Sequence, residues 1–271
     1  MVLSQIERQI KEKIERVGTP LKDWDIQINY GIKTGFNEAF IIDGKKRQEL
    51  INQDPKSAEI IRPILRGRDI KRYSYDFADL WLINTHNGIK DKGIKPININ
   101  DYPAVKKHLD KYYPKLEKRQ DKGDTPYNLR NCAYIDLFYR QKICWKAVGR
   151  NLTFSLVEPG IFLTAPASFI SSSHNEYILA FLCSNVGKYF VYQNSDMTGA
   201  GDIMLNIQSL VKFPIPRLLN EVENDIKNKI IALLYNLNNG LPIAEIQEEL
   251  DAYIYKLYGF NQEEINAIEF V

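Results

Sequence analysis

Apolar side chains follow two different periods along this chain, and the change of period marks its organisation. Ile6, Ile10, Ile14 and Val17 are spaced four, four and three apart, with Glu, Lys and Arg between them. That spacing predicts a helix over residues 3–17 with one buried stripe, closed by Gly18 and Pro20. A lone helix of this length is marginal in water, so the stripe either packs on the body or connects to a segment on another chain. From Asp25 to Tyr30 polar and apolar residues alternate, the period of a half-buried strand. Gly31 and Gly35 frame a loop before the apolar run Ala39–Ile42, which reads as the next strand. Asp54-Pro55 predicts the cap and first position of a short helix through Ile60 and Ile61. Leu80–Ile83 reads as a buried strand, and Asp101–Gln120 as a helix begun at Pro103 and kinked at Pro114.

Four β-like runs follow, at 142–148, 153–157, 161–164 and 168–171. Turn signals at Gly149-Arg-Asn151, Glu158-Pro-Gly160 and Ala165-Pro166 separate them, and together they predict an antiparallel meander. Asn175 is read as the cap of a helix that turns Ile178, Leu179, Leu182, Val186 and Phe190 inward. Beyond Phe213–Pro216 the helical period returns in Leu219, Val222, Ile226, Ile230, Leu233 and Leu237, closed by Gly240. A second helix carries Ile243, Ile246, Leu250, Ile254 and Leu257 and ends at Gly259, and Asn261 with Glu264 has capping-box spacing for a last one. The expected fold class is α+β. It has a mixed, largely antiparallel β body with flanking helices, an N-terminal connector helix (1–18), a body (19–218) and a C-terminal acidic helical hairpin (219–271).

Charge sharpens this division. The 271 residues carry 36 Lys plus Arg against 34 Asp plus Glu, a near balance that conceals an asymmetry. Residues 219–271 hold three basic and ten acidic side chains, net −7, which leaves +9 on the remainder. A basic body suits a polyanionic partner, because phosphate contacts are made mainly by Lys and Arg; the plain alternative is a solvated surface. With 44% hydrophobic residues the chain has ample core to fold without staples. Cys132, Cys144 and Cys183 are odd in number and far apart, which argues against a disulfide framework and for a reducing cytoplasm. No apolar run approaches the roughly 20 residues of a membrane helix, and the charged N-terminus lacks the pattern of a signal peptide.

Candidate chemistry is sparse. His86, His108 and His174 lie in three separate regions without paired-ligand spacing, so no metal and no cofactor are expected. Gly199-Ala-Gly201 lacks a third glycine, and neither a phosphate-cradling loop nor a nucleophile elbow is present. One catalytic pattern survives. Asp69-Ile-Lys71 with Asp54 upstream has the acid-x-Lys spacing of Mg²⁺-dependent nucleases, though the same triplet recurs at Asp225-Ile-Lys227. The stronger feature is the cluster around it. Arg62, Arg66, Arg68, Lys71 and Arg72 place five cations and one acid, Asp69, in eleven positions broken by Pro63 and Gly67. Guanidinium forks suit phosphates and guanine edges; alternatively Asp69 ties down Arg66 or Arg68. A second concentration runs from Lys106 through Lys111, Lys115, Lys118, Arg119 and Lys122, and a third comprises Arg130, Arg140, Lys142, Lys146 and Arg150. Strand alternation places Lys142, Cys144 and Lys146 on one face.

Several stretches, in order, resemble the TaqI-like C-terminal specificity domain. This is the target-recognition module of type IIG-like restriction–modification enzymes and adenine-specific DNA methyltransferases. They are Gly31–Phe40, Ile64–Ile70, Tyr102–Leu109, Leu116–Tyr127, Lys142–Trp145, Leu182–Val186, Phe213–Pro216 and Tyr253–Gly259, which span about residues 25–265. The resemblance implies sequence-specific recognition of double-stranded DNA, in a polypeptide that normally carries a methyltransferase domain ahead of the module. The Asn-Pro-Pro-Tyr signature of such methyltransferases is missing from this sequence. What remains resembles the specificity part alone, whether a truncated piece, a split subunit or a separate reading frame. Its methyltransferase or endonuclease partner then acts in cis or in trans, and the helix at 3–17 resembles the connector to it.

The sequence reading therefore expects a DNA-binding module without catalysis of its own. Arg66, Arg68, Lys71, Arg72, Arg130, Lys142, Lys146 and Arg150 are expected to face DNA, and Lys33 and Thr34 to lie near phosphate. Two rivals remain: a nuclease using Asp54, Asp69 and Lys71, and a protein-interaction module built on the Ile6–Val17 stripe and the acidic hairpin.

Overall fold

Four of the alternating runs meet in one sheet, and both of its faces are buried. In the computed structural model, which describes residues 3–218 and 220–271, the strands lie in the order Ile26–Tyr30, Ser168–Ser172, Lys142–Trp145, Phe154–Val157, all antiparallel. The register aligns Ile28, Ile170, Ile143 and Leu156 in one row and Asn29, Phe169, Cys144 and Ser155 in the next. The first row faces a core completed by helices, where Trp145 and Phe154 also lie. The second faces a core that holds Phe138, Phe162 and the opposing sheet. Side chains alternate across a strand, so the three strands from Ser168, Lys142 and Phe154 feed both cores, whereas the edge strand Ile26–Tyr30 gives only Ile26 and Ile28 to the first and keeps the polar alternation of an edge.

The second sheet has the order Ile41–Asp43, Leu80–Ile83, Ile61–Leu65, Phe162–Leu163. Its last pair is parallel, with Ile64 beside Phe162 and Leu65 beside Leu163. This corrects the expected meander. The run at 161–164 leaves its neighbours and crosses to the other sheet, where the Phe162 ring stacks on Phe138 with 4.6 Å between centroids. Local alternation cannot select this pairing, because Phe162 and Leu163 are both fully buried and a two-residue apolar run carries no period of its own.

Other expectations shift by smaller amounts. Ala39 and Phe40 belong to a helical turn, Asn37–Phe40, and the strand starts at Ile41. An unexpected helix, Gly44–Gln53, buries only Leu50 and so carries almost no periodic signal. Asp54 does cap a turn, Pro55–Glu59, but Ile61 already lies in a strand. The helix expected over 101–120 is two, Pro103–Asp110 and Tyr113–Lys118, each with proline in its first turn, since proline has no N–H to continue a preceding helix. The helix expected from Asn175 is likewise divided into Asn175–Cys183 and Asn185–Asn194. Ser184 caps the second by accepting the Gly187 N–H at 3.0 Å, whereas Asn175 accepts the Ser172 N–H at 3.1 Å instead of capping.

The helix at Gln5–Val17 forms with a full capping box between Ser4 and Glu7. Its Ile10 and Ile14 enter the same core as Trp145 and the C-terminal helices Asn220–Asn238, Ala244–Tyr258 and Gln262–Glu269. Leu219, expected to start the C-terminal stripe, lies outside the described residues. Gly240 and Gly259 end the first two of these helices at positive φ, 67° and 70°, as the left-handed C-cap requires. Not every acid there is on the outer face: Glu223, Asp251 and Glu264 are buried. Glu264 pairs with Lys13 at 2.6 Å, and Asp251 accepts the Asn185 N–H at 2.8 Å, its carboxyl raised by burial to about 6. No helix among the described residues is long and apolar enough to cross a membrane.

Lys142 requires a correction. It is on the same face as Cys144, as alternation predicts, but that face is interior, and Lys142 is 0% exposed. Its Nζ donates to the carbonyls of Phe138 (2.9 Å), Arg140 (3.0 Å) and Glu158 (3.2 Å). It therefore staples a loop to the sheet edge and presents no charge to a partner. Burial lowers its ammonium from the ordinary value to about 8.

Two stability outcomes follow. Phe169→Ala and Ile170→Ala each remove a large side chain from a different core, at a cost of about 2–5 kcal/mol. Because the two side chains share a strand, both variants should shift one common denaturant transition; two separable transitions would show that the cores unfold independently. For Lys142 both states are protonated below about pH 8, whereas above it the unfolded chain holds the proton more tightly. Wild-type stability should therefore rise between pH 8 and 10.5 by on the order of 3 kcal/mol, and urea titrations of Lys142→Met should lack that rise.

Candidate nucleic-acid interface

The loop that follows Ile26–Tyr30 is pinned to its surroundings at close range. Gly31 donates to the Ala167 carbonyl (2.8 Å), Ile32 to that of Leu163 (2.6 Å), and Ala165 to that of Ile32 (3.0 Å). A Cβ on Gly31 would lie 2.4 Å from the Thr164 carbonyl carbon, so only glycine permits this approach. Gly35 has φ 68°, and a Cβ there would sit 2.9 Å from that of Asp121. Thr34, expected near phosphate, is instead 2% exposed. Its hydroxyl donates to Asn37 Oδ1 (2.5 Å) and accepts the Phe36 N–H (3.2 Å). Thr34 thus shapes the loop, and Lys33 beside it is exposed.

Arg119 joins this loop to the next. The sequence offers it as one more cation on a basic helix, but it is buried, 7% exposed. Its guanidinium donates to the carbonyls of Thr34, Asp121 (2.7 Å), Pro126 (3.2 Å) and Asn128 and lies 4.5 Å from the centre of the Phe40 ring. Burial lowers it to about 10, so it stays charged at neutral pH. The segment 120–131 is further held by Asn87, whose amide donates to Asp124 (3.0 Å) and Asn131 (2.5 Å) and accepts the Asp124 N–H (2.8 Å).

Three adjoining depressions result. The first and second share Tyr30, Ile32 and Lys33 as walls, the first and third share Arg130 and Asn131, and Asp121 belongs to the second and third. Lys33, Lys122 and Arg130 line this surface. Arg130 also pairs with Asp121 at 2.8 Å while remaining half exposed. Ala165 and Pro166 form part of the second depression. A Cβ on Gly67 would touch both Lys146 Cβ (3.3 Å) and Ala167 Cβ (3.9 Å), so the turn before Arg68 packs on the stem of Lys146, whose side chain runs on to Gly149; Arg68 itself is exposed. Among the described residues Arg68 has no ion-pair partner.

The remaining expected residues are placed elsewhere or are already engaged. Asp69 takes Arg66 bidentately, 2.9 Å from Nε and 2.7 Å from the terminal nitrogen, and also accepts the Arg66 N–H. Burial would raise the Asp69 carboxyl, but these hydrogen bonds outweigh it and hold the carboxyl below its ordinary value. Lys71 is 3.5 Å from Asp76. Arg72 turns to the Cys183 carbonyl and lines a separate cavity with Lys188. Arg150 is 84% exposed, 3.9 Å from Asp202, at a small sheet formed by Val148–Gly149 and the hairpin 196–204. The nuclease set fares no better as a unit. Asp54 accepts the Lys56 N–H and the Ser57 hydroxyl, Asp69 is saturated by Arg66, and no metal-binding group of three acids, histidines or cysteines occurs among the described residues.

The chain is 26% identical over 247 residues to the type II methyltransferase M.MjaIV of Methanocaldococcus jannaschii, covering 87% of this chain and 80% of that one. Its fold is similar to that of the Type IIL restriction–modification enzyme MmeI, solved in complex with DNA. That match has a TM-score of 0.70 at 15% identity, over 93% of this chain and 35% of that one. It is also similar to the type IIG restriction endonuclease BpuSI, with a TM-score of 0.52 at 14% identity, over 94% and 34%. The chain spans about a third of the length of these two solved structures. The family model of the TaqI-like C-terminal specificity domain matches residues 62–215, more than half of the chain. This chain is a member of that family of specificity domains.

Proposed function

We propose that this chain reads the DNA target of a restriction–modification system, and that methyl transfer or cleavage is carried out by a catalytic domain joined in cis or bound in trans. Family membership over residues 62–215, together with the gathering of Lys33, Lys122 and Arg130 around one loop-built surface, carries the reading. The M.MjaIV relative is named as a methyltransferase and is covered to 80% by this chain, which favours methylation as the reaction served. Lys33, Lys122, Arg130 and Lys146 are assigned to the phosphate backbone. Such contacts set register and affinity without reading sequence. Arg68, exposed and not tied to a carboxylate, is assigned to a base edge in the major groove, where a guanidinium spans guanine O6 and N7. Arg66, committed to Asp69, shapes the turn that presents it. The C-terminal helices brace the body and keep their exposed acids away from DNA.

Duplex binding measured by fluorescence anisotropy against salt concentration tests these roles. Lys33→Ala and Arg130→Ala should weaken all sequences alike, and each should lower the salt slope by about one. Arg68→Ala should relax discrimination at one base pair by about 1–3 kcal/mol. Lys142→Met, judged at pH 7, should leave both unchanged. Failure of the unaltered chain to prefer any duplex in a selection from random sequences, at any salt, would overturn the reading. Transfer of labelled methyl groups from S-adenosylmethionine by the chain alone would overturn its division of labour.

A further inference from the structure

The first of the three depressions has a chemistry that phosphate contacts do not explain. It is a cavity of about 200 Å³ whose apolar floor includes Ile32, Leu129 and Ile135, each less than 8% exposed. Tyr30, 48% exposed, and Tyr134 bring aromatic rings to its wall, and Lys33 and Arg130 stand at its lining. Asn84 also lines it. That residue is 3% exposed, and its Oδ1 has no hydrogen-bond partner among the described residues. Its backbone is fixed, since the Asn84 N–H donates to the Ile60 carbonyl at 2.7 Å, at the end of strand Leu80–Ile83. A buried amide oxygen without a donor is costly. The ligand that repairs it must bring an N–H into a slot with an apolar floor, aromatic walls and further polar side chains, His86 and Asn131, at its sides, with negative charge toward Lys33 and Arg130.

We infer that this cavity holds a single nucleobase. Its flat faces would lie against tyrosine and aliphatic side chains, its edge N–H would donate to Asn84 Oδ1, and its phosphate would meet Lys33 and Arg130. The inference deepens the DNA-recognition reading and rests on it for the source of the base, a nucleotide displaced from the duplex; a free mononucleotide offers the same chemistry. Displacement is cheapest for a base that is already unpaired, which makes a bulged base the direct probe.

Two measurements on the full chain separate the possibilities. The first titrates each deoxynucleoside 5′-monophosphate and follows the His86 ring by NMR, since His86 lines the same cavity. The second compares anisotropy binding of a duplex carrying one bulged base with the same duplex fully paired. The bulged duplex should bind about tenfold more tightly, the order that one stacked base contributes. Asn84→Leu, which keeps bulk and removes the amide, should abolish that preference while leaving paired-duplex affinity unchanged. Tyr30→Ala, at a half-exposed position, should also abolish that preference. A His86 response to mononucleotides without a bulge preference identifies a free nucleotide as the occupant. Mononucleotide binding without binding of any duplex upholds the cavity and defeats the DNA-recognition reading. No His86 response with equal duplex affinities overturns the inference, as does an equal loss for both duplexes in Asn84→Leu and Tyr30→Ala.

Discussion

Burial of one four-stranded sheet on both faces is the constraint from which the rest of this structure follows. Ile143 and Ile170 point into one core, and Cys144 and Phe169 into the other, so neither core can form without the same strands. Transfer of apolar surface from water drives both at once. The helix Asn175–Cys183 lies on one face, with the N-terminal and C-terminal helices packed into the same core behind it, and the smaller mixed sheet covers the other. Loops at the sheet's ends and edges are thereby held on a rigid frame, where binding residues are positioned most reproducibly.

A second constraint is electrostatic. Arg119 carries its charge into the interior, where an unpaired ion is expensive, and its planar fork is matched by four backbone carbonyls rather than by a carboxylate. Several donors in fixed directions suit this work as a single ammonium does not. The clamp sets where Lys33 stands relative to Arg130, so the geometry of the basic surface depends on a cation that never reaches it. Lys142 plays the equivalent part at the far edge of the sheet, with three carbonyls on one Nζ. Two of the chain's cations are thus internal fasteners, and the surface available to a polyanion is smaller than the basic composition suggests.

Much of this was legible in the residues. The period of three and four at Ile6–Val17 and again at Val222–Leu237, the alternation at Asp25–Tyr30 and the capping pair Asn261 and Glu264 each specify an element through local geometry. Order along the chain was also enough to place it beside the specificity domains. The candidate surface was legible only in part. Lys33 and Arg130 were expected and are brought together, but Thr34 and Lys142 were misjudged, Arg119 was read only as one more surface cation, and Asn84 gave no signal. A lysine on an alternating strand reads the same whether its face meets solvent or a second core. An arginine at the end of a basic helix looks like its solvated neighbours.

Sequence alone determined the kinds of element, most of their ends, the α+β class and the concentration of positive charge in the body, because each depends on neighbours within a few residues. Tertiary structure decided that Phe162 and Leu163 pair with Ile64 and Leu65, that Asp69 takes Arg66 and leaves Arg68 free of it, and which cations are buried. Those outcomes turn on which distant surfaces exclude water together. A short apolar run or a lone charge satisfies several such arrangements equally well until the whole chain has packed.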